Sequence, residues 1–209
     1  MARYPFVMAK SMSSYLFLVL AVLVAPTLPA ARAADTATTP AAASAELPTQ
    51  KQRLDTLFSE LKKTGDSDKA KDVADRIRTE WQDSGSASVN LLMQWAAKAT
   101  ETNKRSVALD LYDQAIALAP DYVEGWNQRA TLHYQMGNYR KSMSDINHVL
   151  ALEPRHFGAL AGMAAILSAA GKDELALRAW EEFLTVYPAD RKAQEQFGEI
   201  EEKLAGNRT

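Results

Sequence analysis

Three histidines, no cysteine and a few adjacent acid pairs bound the chemistry open to this 209-residue chain. Metal hydrolysis on a helix needs two imidazoles one turn apart with a glutamate beside them, so that ligands and general base share a face. His133, His148 and His156 lack that spacing. They read as a half-buried packing residue, a surface residue and a helix-start residue. Without cysteine there is no thiolate nucleophile, disulfide or Cys-rich zinc site. No glycine-rich phosphate loop and no Gly-x-Ser-x-Gly elbow is present. Glu181-Glu182 and Glu201-Glu202 are sequence neighbours; on a helix they splay apart and cannot face one substrate as acid and base. The chain is therefore read as a non-enzyme with no catalytic residue, metal or cofactor. Its net charge of −2 is mixed along the sequence, whereas a nucleic-acid partner would call for a basic stripe. What remains is binding, and the residue types alone do not name the partner.

A period shows which elements would present side chains for it. Pro120, Pro154 and Pro188 stand 34 residues apart, and a fixed period of that size marks stacked supersecondary units. The blocks are 89–122, 123–156 and 157–190. Their fourth positions hold Leu92, Trp126 and Leu160. Their eighth positions hold Ala96, Ala130 and Ala164, where a larger side chain would push two helices apart. Asn103, Gly137 and Gly171 follow, the residue types that helix C-termini and turns prefer. Ala108, Ser142 and Ala176 are small again, and Tyr112, Ile146 and Trp180 are large and apolar. Apolar residues recur at three- and four-residue spacing within each half-block, as in Leu109, Tyr112, Ile116 and Ala119. Each block thus predicts helix, tight turn, helix, and a proline that stops continuation. Asp121 with Glu124 reads as a capping pair, and Asp173 as the cap of a second helix.

This pattern resembles the tetratricopeptide repeat (TPR) family. Trp126, Ala130, Gly137, Tyr139 and Pro154 sit where the family expects them; Arg129 and His133 depart, at places where Leu and an aromatic are usual. The resemblance implies an all-α, right-handed solenoid of helical hairpins. A guanidinium at the normally buried position of Arg129 must be paired, and Asp110, Asp113 or Asp145 could supply the carboxylate. The resemblance further implies that first helices line a concave partner-binding face. Carried onto this chain, the inward positions are Asn90, Met93, Gln94, Ala97, Thr100 and Glu101, then Glu124, Asn127, Gln128, Thr131, Tyr134 and Gln135, then Gly158, Ala161, Gly162, Ala165, Ser168 and Ala169. That groove would run from amide-rich to smooth and apolar. None of these positions is Lys or Arg, which speaks against a carboxylate clamp. Small residues on every face of 158–170 suggest close packing against a ligand helix, the end cap or a second protomer, so a homo-oligomer is open.

The flanks differ in composition. Residues 51–84 read as a divergent TPR-like hairpin capping the start of the stack, with Gly65 at its turn, and 191–209 as a C-terminal capping helix and tail. Residues 1–33 carry Arg3, Lys10, an apolar run from Leu16 to Ala25 and Ala31-Arg32-Ala33, the pattern of a secretory signal cleaved after Ala33. The run falls short of the roughly 20 residues that span a bilayer, so membrane contact is expected only through an uncleaved signal. Residues 34–50, mostly Ala, Thr, Pro and Ser, read as a disordered linker. The chain as a whole resembles short exported TPR proteins of proteobacteria. The resemblance implies a periplasmic, non-enzymatic scaffold in cell-envelope assembly or maintenance, or else a regulatory or substrate-presenting subunit of an envelope enzyme or secretion complex.

Overall fold

The structure is a computed structural model that describes residues 47–206. The expected signal and most of the expected linker lie outside the described residues. Among those described there are nine helices and no strand: α1 Gln50–Lys63, α2 Ser67–Gln82, α3 Ala87–Glu101, α4 Arg105–Leu118, α5 Val123–Gln135, α6 Tyr139–Leu152, α7 Phe157–Ala169, α8 Asp173–Val186 and α9 Arg191–Gly206. No helix among them is long and apolar enough to cross a membrane.

The turns explain the punctuation of the sequence. Asn103, Gly137 and Gly171 all adopt positive φ, at 55°, 73° and 67°. Each ends the first helix of its hairpin in the same way. The N–H groups of Lys104, Asn138 and Lys172 donate back to the carbonyls of Ala99, His133 and Leu167 at 2.8, 2.8 and 2.9 Å, which closes a Schellman motif. Glycine enters this backbone region without a Cβ penalty and asparagine at a small one. The second helices α4, α6 and α8 end at Leu118, Leu152 and Val186, each two residues before a proline. Within the hairpins Ala96, Ala130 and Ala164 are buried opposite Ala108, Ser142 and Ala176. The one hydroxyl in that set is satisfied: Ser142 donates to the carbonyl of Ala130 at 2.8 Å.

The capping expectations are corrected. Neither Asp121 nor Asp173 caps a helix, and α5 and α8 begin without a side-chain cap. Glu124 turns inward, and Asp173 spends its carboxylate on Lys203 of α9 at 2.8 Å. Of the repeat helices, α3 is capped by Ser86, whose Oγ accepts the N–H of Val89 at 3.5 Å, and α7 by His156, whose Nδ1 accepts the N–H of Ala159 at 3.0 Å. The linker also yields residues to the fold. Thr49 and Gln52 form a capping box on α1, and Gln50 donates from its amide to the carbonyl of Asp83 at 2.9 Å.

The larger correction concerns the first hairpin. It does not cap the start of the stack: α1 and α2 share one apolar core with α7, α8 and α9, in which Leu61, Ile77 and Trp81 join Phe157, Leu160, Trp180 and Leu204. Trp81 stacks on the His156 ring with centroids 4.0 Å apart and tilts against Phe157 at 5.1 Å. Arg155 lies over the Phe58 ring at 4.2 Å and bonds Asp55 at 2.8 Å. The turn into α3 accounts for the redirection. Gly85 has a φ of 73°, and Asn90 holds the loop by accepting from the Ser84 hydroxyl at 2.6 Å and donating to Asp83 at 3.0 Å. A helical pattern in α1 and α2 fixes their dry faces but not which distant surface completes them.

Trp81→Ala should lower unfolding free energy by about 3 kcal/mol, the usual cost of emptying a buried aromatic site, read by urea denaturation. Amide exchange should show α1 and α2 losing protection first, ahead of α3 to α6.

Candidate partner-binding groove

The first helices α3, α5 and α7 present most of the inward positions along one face. Two hollows divide it. One, of about 490 Å³, is lined by Asn90, Met93, Gln94, Ala97, Glu124 and Gln128, with Tyr112, Tyr122 and the end of α2 as walls. The other, of about 360 Å³, is lined by Asn127, Thr131, Tyr134, Gly158, Ala161, Gly162 and Ala165, over a floor of Ala130, Ser142 and Ile146. Glu101 and Gln135 belong to neither hollow; Glu101 pairs with Lys98 at 3.0 Å. Lys192 and Gln196 of α9 and Trp180 of α8 close the second hollow. Sequence reading missed these three, because they come from helices that carry no inward positions in the repeat.

The polarity of the groove is set by a buried carboxylate. Glu124 is buried, and its oxygens take the side-chain amides of Asn127, at 3.2 Å to each oxygen, and of Gln128. His156 Nε2 completes the set at 3.2 Å. Since Nδ1 already accepts a backbone N–H, the ring proton sits on Nε2 and is donated to Glu124. The Asn127 amide and one N–H of Gln128 are thus engaged by Glu124, and both residues offer a partner their carbonyl oxygens. Asn90 is likewise occupied by its own loop. Burial and the Glu124 charge push the Tyr122 phenol up, so it stays a donor, bonded to the carbonyl of Gln82 at 3.1 Å.

The smooth end of the groove has a packing cause. A Cβ at Gly162 would stand 3.2 Å from the Ile146 Cδ1, and one at Gly158 would stand 3.2 Å from the His156 ring. Small residues here let α7 approach α6 and the imidazole, and they leave the wall of the second hollow without side chains. Tyr134 is partly exposed, with its ring 5.5 Å from that of Tyr139. Tyr139, a residue of the repeat pattern, is itself exposed.

Arg129 has the partners its burial demands. It bonds Asp145 twice, Nε at 2.9 Å and Nη2 at 2.7 Å, and reaches Asp113 with Nη1 at 2.6 Å; these pairs go to two of the three candidate acids, not to Asp110. The guanidinium also lies 4.8 Å from the centre of the Trp126 ring. Trp126 in turn donates to the carbonyl of Pro120 at 2.9 Å and packs on His148 with centroids 3.9 Å apart. Arg129 thereby ties α5 to both α4 and α6. Nearby His133 is buried with Nδ1 unpartnered, and burial pulls its pKa below the ordinary range. Among the described residues no cluster of three or more His, Asp or Glu could hold a metal ion.

No family model matches the chain. A curated TPR repeat-containing protein of Rhizobium etli is 67% identical over 159 residues, which cover 76% of this chain and 78% of that protein. The chain belongs to the TPR repeat-containing proteins. Solved TPR domains share the fold. The first TPR domain of Spaghetti (RPAP3), bound to the HSP90 peptide SRMEEVD, matches with a TM-score of 0.54 and 23% identity, over 57% of this chain and 95% of that one. The TPR2B domain of yeast Sti1, in a complex with pHsp70, matches with a TM-score of 0.53 and 15% identity, over 56% and 99%.

Arg129→Leu should destabilise this TPR protein by on the order of 2 kcal/mol in thermal or urea unfolding, because Asp145 is left buried and unpaired. Arg129→Leu with Asp145→Leu should recover much of that loss. The lowered pKa of His133 also has a signed consequence. The unfolded chain takes up its proton near pH 6.5 while the folded protein resists it, so stability falls as pH drops from about 7 to about 5. His133→Phe should make that fall shallower in pH-dependent melts.

Proposed function

We propose that this protein is an exported, non-enzymatic scaffold that holds a partner protein in the groove of α5, α7 and α9, in the periplasm of a bacterium, for assembly or maintenance of the cell envelope. The observation that carries the binding site is the second hollow. It combines a wall without side chains at Gly158, Ala161, Gly162 and Ala165 with Tyr134, Thr131 and the Asn127 carbonyl at its rim. Such a wall admits the close approach of an extended peptide or of one face of a helix, and the rim groups fix its register. Solved relatives of the fold carry peptides, which supports a peptide-like ligand here. The positive charge at this groove comes from Lys192 of α9, not from the repeat helices. Export rests on the basic, apolar and small-x-small segments of residues 1–33.

A photoreactive amino acid at Tyr134, introduced in living cells, should capture an envelope protein. Adding Ala165→Arg should fill the hollow and cut that capture at least tenfold while helicity by circular dichroism stays unchanged. Capture at the outward Leu175 with none at Tyr134 would move the partner to another face. A single enzyme recovered in equal amount would favour the regulatory-subunit reading over the scaffold.

A further inference from the structure

The clefts between successive second helices occupy equivalent places in the repeat, yet they differ in content. Between α4 and α6, over α5, Arg129 at the seventh position spans from Asp113 to Asp145 and bridges a hollow of about 420 Å³. Between α6 and α8, over α7, the seventh position is Met163, and the places of Asp113 and Asp145 are taken by Asn147 and Ala179. No such bridge can form there, and the hollow measures about 740 Å³. Its lining is apolar where the other is charged: Leu167 stands in the place of His133, and Leu175 in that of Lys141. Leu175 and Tyr139, both on this lining, are 44% and 45% exposed. Arg140, Lys172 and Arg178 surround the apolar residues against one acid, Glu182, in a chain whose net charge is −2. None of these three cations is in an ion pair among the described residues.

We propose that the cleft of α6, α7 and α8 is a second docking site, which takes a short acidic amphipathic helix of a partner protein. It shares no lining residue with the groove of α5, α7 and α9. Three arguments select the occupant. The charge is complementary: Arg140, Lys172 and Arg178 concentrate positive charge on a protein that is negative as a whole, so carboxylates flanking an apolar stripe find partners here. The apolar lining includes Met143 and Met163, whose unbranched thioethers adapt to the side chains of a ligand. The walls are helices whose backbone groups are spent internally, so an extended peptide would find no ladder to join, and an occupant must satisfy its own backbone, as a helix does. The lining residues of α6 run from Tyr139 to Asn147, about 12 Å of helix rise, which suits anchors at i, i+3, i+4 and i+7 of the ligand. A flat bilayer could meet the cations but could not enter the cleft between them.

The probe is a fluorescein-labelled peptide of about 16 residues, long enough to form a helix, with Leu at i, i+3, i+4 and i+7 and Glu on both flanks. Its anisotropy should rise saturably with the protein at low ionic strength, and the same peptide with Lys for Glu should bind at least roughly tenfold more weakly. Arg140→Glu with Arg178→Glu should abolish that preference, with helicity by circular dichroism unchanged. Should that pair fail to fold, the single change Leu175→Asp should cost about tenfold in affinity for the acidic peptide. Ala165→Arg, which fills the inner hollow, should leave the binding as it is, so the two sites stand or fall separately. Equal affinity for the two peptides would overturn the proposal, as would a preference that survives in the folded variants. Loss of binding in Ala165→Arg would move the acidic ligand to the inner groove and overturn it too. So would adsorption to phosphatidylglycerol vesicles by a protein that ignores the acidic peptide, which would assign the cations to a membrane surface.

Discussion

Two short helices joined by a tight turn cannot hide their own apolar stripe, and every other feature of this protein answers that constraint. A hairpin buries its small residues internally, at Ala130 and Ser142 for example, and still has a dry side left over. The neighbour must supply the rest. The Schellman turns at Asn103, Gly137 and Gly171 keep successive hairpins in one register, so the left-over side always meets a complementary one. Inner-face residues then fall at fixed intervals, and the groove is a by-product of stacking before it is a binding site.

Polar groups within such a stack have to be solved locally. Arg129 stands where apolar packing is usual, and it is accommodated by two carboxylates and an indole face. Glu124 and His156 form the second case. A buried carboxylate, an imidazole fixed in one tautomer and two amides satisfy one another, and the set links the middle repeat to the loop before α7. Both arrangements hold hairpins together through hydrogen-bond geometry, which fixes alignment more tightly than apolar contact does.

Much of this is legible in residues that repeat. The period of 34, the prolines and the positive-φ turns are local signals, and each predicts a helix end the structure shows. The inward positions follow from the same register, which is why most of them line the two hollows. What was not legible is long-range or competitive. The dry faces of α1 and α2 could be read from Leu54, Leu61 and Ile77, but their destination depends on a knot at Asp83, Ser84 and Asn90 and on distant aromatic rings. Asp121 and Glu124 look like a cap in sequence; Glu124 finds a stronger set of donors inside the fold, and the cap does not form. Lys192 enters the groove from α9, for which the repeat pattern makes no statement.

The docking of the first hairpin onto the last repeat changes the order in which this chain can fold. Asp55 and Arg155, which bridge the two, are 100 residues apart in sequence. A plain solenoid has only neighbour contacts and can begin folding at any point along its length. Here α1 and α2 leave the ribosome first and find their surface last, after α7 to α9 are in place. Loop-closure entropy makes that final step the slow one, with Phe58 and Trp81 open to solvent until it is done.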